Sequence, residues 1–323
     1  MIRDAWPMNP VLAGLAGKQG GVFSRAQALA CGYTPQGIRD RMRAGRWVRV
    51  RYGQYAEAPD LSGLAPWDQE LARHRLSVYA VMNAMRPGSV AVSHQSALVL
   101  HGVPLWAIDL SEVHLNRLDV RRHSGPVAGV RFHRGNLTSE DLTEVGGLPV
   151  TNVPRALVET ACTSSFEATV VIADATMHAR LVDDQDLRRL LRLTEFWPGS
   201  ATARAALRFA DARSESVGES RLRVLMHNQG LPAPQLQVVY RDADGIIGRV
   251  DSVFTEFDTI VEFDGLVKYI GAPETVLVQE KHREDRLRAL GFEVVRVTWS
   301  DLNRPERTAA DIRAAFTRAR RTA

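Results

Sequence analysis

The chain of 323 residues predicts an α/β protein, α+β and multidomain, in three parts. Residues 1–60 read as a helix-turn-helix with a β-wing, 61–200 as a middle α+β segment, and 201–323 as a mixed sheet flanked by helices. Two observations predict this. Near the N-terminus two short capped helices meet across a glycine turn and lead into an alternating strand pair. Near the C-terminus short apolar runs alternate with charged helical stretches and carry three acids, Asp251, Glu262 and Asp264. Trp197-Pro198-Gly199-Ser200 marks the last boundary, because Pro and Gly interrupt regular structure.

In the first part, Ser24 is placed to cap a helix that Gly32 stops in the left-handed conformation. Thr34-Pro35 then opens a second helix through Ile38 and Met42 to Gly45, with Thr as the cap and Pro at the first position. Ile38 and Met42 lie four apart and are expected inside, which leaves Gln36, Arg39 and Arg43 facing out. Two short helices across a tight turn make a helix-turn-helix. Trp47 to Ala56 follows as strand, glycine turn and strand, with Arg46, Arg49 and Arg51 on or beside it. Residues 1–60 hold nine Lys or Arg against four Asp or Glu, so the excess charge of a chain at net +4 resides here. That asymmetry points to an anionic partner, and arginines on a second helix and wing suit phosphate and groove contact.

The middle part predicts a helix over 67–85, a strand, cap and helix over 89–102, and strands at 113–115, 130–133 and 148–151. A helix over 154–162 and helical structure continuing from Asp174 to Leu193 complete it. His94, His101, His114 and His133 raise the question of a metal, but their spacing matches no zinc pattern and no cysteine pair accompanies them, so core or capping roles are expected.

In the last part, Ser216 to Gln229 reads as a helix with an apolar stripe of Leu222, Leu225 and Met226, on whose side Glu219 falls; a bond to Arg223 or Arg249 is the simpler role for that acid. Gly248–Phe254 and Thr259–Gly265 read as strands of a hairpin, which brings Asp251 near Glu262. Period-two alternation puts Ile260, Glu262 and Asp264 on one face and Val261 and Phe263 on the other. Crowded carboxylates raise one another's pKa unless something positive lies between them, and a hard divalent cation is the usual occupant. A charged helix over Glu280 to Arg286 follows, then an apolar run from Phe292 to Val297.

Those residues, in that order, resemble a PD-(D/E)XK restriction-endonuclease-like domain, and more narrowly the domain related to Vsr-type very-short-patch-repair endonucleases. The resemblance covers about the last third of the chain. It implies that Asp251 and Glu262 are the two strand acids and ligands of Mg2+ or Mn2+, with Glu219 as the helical acid beside them. The motif's lysine is absent: Asp264 holds its place, so Lys281 on the next helix is the expected stand-in and Lys268 the second choice. The implied catalytic set is Glu219, Asp251, Glu262, Asp264 and Lys281, acting on a phosphodiester through a metal-activated water. Arg283, Arg286 and Arg296 are placed to contact phosphate or lock the acids. The N-terminal segment resembles the winged helix of AbiEi-family antitoxins of type IV toxin-antitoxin systems, and the middle part resembles the region that follows it. That implies DNA as the partner of residues 9–58, with Gln36, Arg39 and Arg43 reading it, Arg46, Arg49 and Arg51 holding the backbone, and a toxin or operon partner by analogy.

Three function classes remain. One is a metal-dependent DNA endonuclease; the second is a non-catalytic DNA-binding regulator of the AbiEi type with a degenerate nuclease domain; the third is an RNA- or protein-contacting module. A composition of 45% apolar and 24% charged residues is that of an ordinary soluble protein and excludes a disordered chain. Cys31 and Cys162 cannot build a disulfide framework, so a cytoplasmic location is expected. No secretory signal is read, and no apolar run approaches the length of a membrane span.

Overall fold

The computed structural model describes residues 7–118, 127–265 and 274–322. The chain forms two compact units. Residues up to Ser164 with Asp184–Ser200 make the first, and Ser165–Asp183 with residues from Ala201 onward make the second.

The first unit opens with α1 (Pro10–Lys18), capped by Asn9, then β1 (Val22–Ser24), α2 (Arg25–Ala30), α3 (Pro35–Arg43), β2 (Trp47–Arg51) and β3 (Gln54–Glu57). Ser24 and Gln27 form a reciprocal capping box at α2, and Thr34 Oγ1 accepts from the Gly37 amide at α3. The strands form an antiparallel sheet in the order β1-β3-β2, with Val48 opposite Ala56 and Phe23 opposite Tyr55. Gly53, at φ 73°, closes the β2–β3 hairpin, a conformation that a side chain would strain. Leu12, Phe23, Ala28, Ile38 and Trp47 fill the small core beneath these elements. Phe23 meets the Trp47 ring edge-on at 4.6 Å and Tyr33 lies 4.9 Å from it.

Chain order continues with α4 (Pro66–Met82), β4 (Val90–Val92), α5 (His94–Leu100), β5 (Val113–Arg117), β6 (Val130–His133), β7 (Leu142–Val145), β8 (Leu148–Thr151) and α6 (Val153–Ala161). Then α7 (Phe166–His178), which belongs to the second unit, precedes α8 (Asp184–Leu193), which returns to the first. The five strands form a mixed sheet ordered β6-β5-β4-β8-β7, in which β5 and β6 run parallel. The helix expected to continue from Asp174 to Leu193 is interrupted. Arg180 adopts φ 55° and the Leu181 amide bonds back to the Thr176 carbonyl at 2.9 Å, which ends α7 at His178.

The second unit continues with α9 (Ser200–Phe209), α10 (Val217–Asn228), β9 (Gln235–Asp242), β10 (Gly245–Phe254), β11 (Thr259–Asp264), α11 (Glu274–Ala289), β12 (Glu293–Thr298), α12 (Trp299–Leu302) and α13 (Pro305–Thr322). Its sheet is ordered β12-β11-β10-β9, antiparallel except for β11 and β12, whose parallel pairing requires the α11 crossover. The period-two reading of β11 matches the packing. Val261 and Phe263 join Leu222, Met226, Ile312 and Phe316 in one core, and Ile260 joins Val250, Val253 and Leu287 in another. Helix α10 approaches β11 so closely that a Cβ on Gly218 would lie 2.0 Å from the Phe263 ring, which makes glycine the residue that fits. Within this unit the buried Asp174 carboxylate accepts from Arg223 Nη1 at 2.6 Å and from the Asp211 amide at 2.7 Å.

Candidate functional site

In the N-terminal segment Ile38 is buried under α3, and Gln36, Arg39 and Arg43 are all exposed on its outer side. Arg39 Nη2 donates to Gln36 Oε1 at 2.6 Å and Gln36 Nε2 donates to Asp40 Oδ1 at 2.8 Å. Exposed pairs of this kind contribute little, so these side chains can re-aim at a phosphate or base edge at small cost. Arg41 points elsewhere, its guanidinium over the Tyr33 ring at 4.9 Å. On the hairpin Arg49 is exposed and Arg46 and Arg51 are half-buried. Tyr52 stands at the tip, 93% exposed, an aromatic that alternation alone does not single out.

The acids of the second unit gather where a strand pairing ends. The β10–β11 ladder runs from Phe254↔Thr259 to Ser252↔Val261, and beyond it Asp251 Oδ2 takes over as acceptor for the Phe263 amide at 2.9 Å. Next to it Glu262 is buried, and both of its oxygens accept from Arg283 Nη2 at 2.6 Å. Arg296 Nη2 lies 3.7 Å from Glu262 and its Nη1 3.9 Å from Asp264, while Glu280 and Glu284 hold the two arginines from α11. Burial pushes the Glu262 carboxyl above the ordinary range against the pull of Arg283, and the nearby Asp251 charge adds to the rise. For Glu280 and Glu284 burial is outweighed by hydrogen bonds from the arginines, and both sit below the ordinary range.

Glu219 bonds to Gln237, which the β9–β10 register sets across from Asp251. Glu219 Oε2 accepts from Gln237 Nε2 at 2.9 Å and from the Glu215 amide at 3.0 Å, while Arg223 bonds Asp174 and Arg249 bonds Glu215. Lys281 is exposed on α11. Arg283, two residues on and hence about 200° around the helix, is the cation that reaches Glu262. Lys268 lies outside the described residues. Arg286 bonds Asp242 on β9. As it stands this donor set does not fit a hard divalent ion. Mg2+ requires oxygens about 2.0–2.1 Å away in octahedral array, and the buried acid already directs both oxygens to a guanidinium.

A third cluster unites three of the four histidines for which core or capping roles are expected. His94, His114 and His133, from the start of α5, from β5 and from β6, bring one ring nitrogen each within 4.8 Å of the others. Their positions carry no local motif; only the tertiary fold of β4, α5 and the parallel β5–β6 pair assembles them. His101 is separate, its Nε2 2.9 Å from the Thr151 carbonyl. Burial, then the neighbouring rings, lowers His94 to about 2 and His114 to about 3, and burial with Arg131 lowers His133 to about 4. The folded protein therefore binds fewer protons here than the unfolded chain. This contribution to stability is complete above pH about 6.5 and is lost as pH falls toward 4, at about 1 kcal/mol per pH unit for each ring. Urea unfolding in EDTA at pH 7, 6 and 5 should show that decline, and His133→Gln should make it shallower; equal slopes would contradict it.

Comparison with known proteins places residues 11–58 in a match to the family described as transcriptional regulator, AbiEi antitoxin. Over 289 residues the chain is 27% identical to the uncharacterized proteins MT2308 and Rv2248 of two Mycobacterium tuberculosis strains, spanning 89% of this chain and 98% of theirs. The crystal structure of the RV2827C protein of Mycobacterium tuberculosis overlaps 62% of this chain and 80% of its own, at 18% identity and a TM-score of 0.37. No helix among the described residues is long and apolar enough to cross a membrane. The chain is thus a mixed α/β multidomain protein whose N-terminal segment, residues 11–58, matches the AbiEi antitoxin regulator family.

Proposed function

We propose that this chain is a DNA-binding transcriptional regulator of the AbiEi antitoxin type, in which residues 9–58 form a winged helix on DNA. The observation that carries this reading is the exposed row Gln36, Arg39 and Arg43 on α3, with Arg49 and Tyr52 on the adjoining hairpin, inside the segment that matches the regulator family. Helix α3 enters the major groove, where arginine and glutamine match base edges in bidentate pairs, while Arg46, Arg49 and Arg51 hold the backbone. A toxin partner belongs to the same reading. Arg39→Ala and Arg43→Ala, tested by fluorescence anisotropy on duplex from the chain's own promoter, should each weaken binding about tenfold. A residue that contacts phosphate should also lower the salt slope by about one. Unchanged affinity and slope in both variants would remove the assignment.

Clamping of Glu262 by Arg283 supports a regulator with a non-cutting second unit. One observation favours cleavage as a second reading: the succession α10-β9-β10-β11-α11-β12 sets Asp251 beside Glu262 at a strand divergence, as in the PD-(D/E)XK arrangement the sequence resembles. Plasmid incubated with the protein in Mg2+, Mn2+ or chelator, beside Asp251→Ala and Glu262→Ala, separates the two. Metal-dependent nicking lost in both variants would establish cleavage; no nicking by the wild type would exclude it.

A further inference from the structure

We propose that His94, His114 and His133 form a binding site for a zinc-class divalent ion, with the fourth position left to water or an external ligand. Three features of the first unit support it. Each imidazole comes from a different element, and the rings converge, with His133 Nε2 3.0 Å from His114 Nδ1 and the His94 and His133 rings stacked at 3.7 Å. Two imidazole nitrogens on one tetrahedral ion, each at 2.0–2.1 Å, stand about 3.3 Å apart, so this pair is already close to ligand spacing. Borderline imidazole donors select Zn2+ and its neighbours over the oxygen-seeking Mg2+.

The surroundings are built as a metal's outer shell is built. His94 Nδ1 lies 3.0 Å from Ser93 Oγ and 3.4 Å from a Glu159 oxygen, which leaves Nε2 as the nitrogen for an ion. The buried Glu159 is itself held by Asn116 Nδ2 at 2.7 Å and Arg155 Nε at 2.9 Å. A carboxylate behind a histidine fixes the tautomer and ring direction that ligation needs. His94 also keeps φ 53°, a left-handed conformation that a non-glycine residue adopts at a cost and that concentrates at functional sites.

Gln95 supplies an independent sign. Its side chain is buried, its Nε2 stands 2.9 Å from His114 Nε2 and donates to the Asp109 carbonyl at 3.2 Å, and its Oε1 has no hydrogen-bond partner. Ligation through His114 Nδ1 puts the ring proton on Nε2. A half-turn of the Gln95 amide then presents the orphaned oxygen to that proton, in exchange for the Nε2 bond to the Asp109 carbonyl. The half-buried His133 on edge strand β6 provides the way in from solvent.

The test uses the full chain, stripped with chelator and dialysed against Zn2+ or Co2+. One equivalent of metal per chain is expected, and the Co2+ form should show the intense visible bands of tetrahedral nitrogen ligation. His94→Ala and His133→Gln should each reduce uptake at least tenfold, and Zn2+ should raise the urea midpoint of the wild type but not of the variants. Should His94→Ala fail to fold by circular dichroism, His133→Gln at the sheet edge decides. Asp251→Asn and Glu262→Gln should leave uptake unchanged. Uptake well below one equivalent, uptake unaffected by His133→Gln, or loss of uptake in the acid variants would overturn the proposal.

Discussion

Trp47→Ala is expected to unfold the N-terminal segment and abolish DNA binding with it. Trp47 is 1% exposed and holds together residues from three elements and a turn: Phe23 on β1, Ile38 on α3, Tyr33 in the turn before it, and Leu12 on α1. Truncating a buried Trp to Ala costs about 3–5 kcal/mol, from lost transfer energy and the cavity left behind. A core of so few large side chains has little else to offset that, and domains are stable by only about 5–15 kcal/mol in total. The loss of Trp47 also removes one of the two rings that carry the Arg41 guanidinium. Urea unfolding followed by tryptophan-independent circular dichroism should show the first transition moved to lower denaturant, while Arg39→Ala leaves it in place. A variant with unchanged midpoint and DNA affinity would show that the segment is held by other contacts.

Arg283→Ala is expected to destabilise the second unit by about 3 kcal/mol at pH 7. The reason is the acid left behind, not the pair itself, since an ion pair of this burial contributes little net while an orphaned buried charge is costly. Glu262 has its folded pKa raised already, and without Arg283 it must be protonated to stay inside. From an ordinary value of 4.5 to pH 7 the cost is about 1.4 kcal/mol per unit, which sets the scale given. A raised carboxyl contributes its stability below the unfolded pKa and loses it as pH rises, so the deficit should shrink as pH is lowered from 7 to 5. Arg283→Ala with Glu262→Gln should recover most of the loss. A deficit independent of pH, or no recovery in the double variant, would show that Arg283 acts through packing. Added Mg2+ that rescues Arg283→Ala alone would indicate that an ion can stand where the guanidinium stood.

Much of the local architecture was legible in the chain. Ser24, Thr34 and Pro35 announce where α2 and α3 begin because capping and the fixed proline φ are local effects, felt within one helical turn. The faces of β11 follow from alternation, because Val261 and Phe263 cannot both be buried without sending Glu262 to the opposite side. The break at Arg180 was not legible: no Gly or Pro marks it, and the left-handed residue is an arginine whose successor Leu181 bonds back to the Thr176 carbonyl. Strand β9 was missed for a similar reason. It lies at the sheet edge, where half-exposed alternation is weak.

Local sequence suffices for the capped helices and hairpin of the first sixty residues, the outward row of Gln36, Arg39 and Arg43, and the approach of Asp251 to Glu262, since each depends on neighbours within a turn or a hairpin. Long-range packing brings Arg283, and not Lys281, to Glu262, because it sets the azimuth of a crossover helix over a parallel strand pair. It alone decided that His94, His114 and His133 converge. Ring positions separated by long stretches of chain acquire a common centre only when β5 and β6 pair in parallel and α5 is seated at the end of β4.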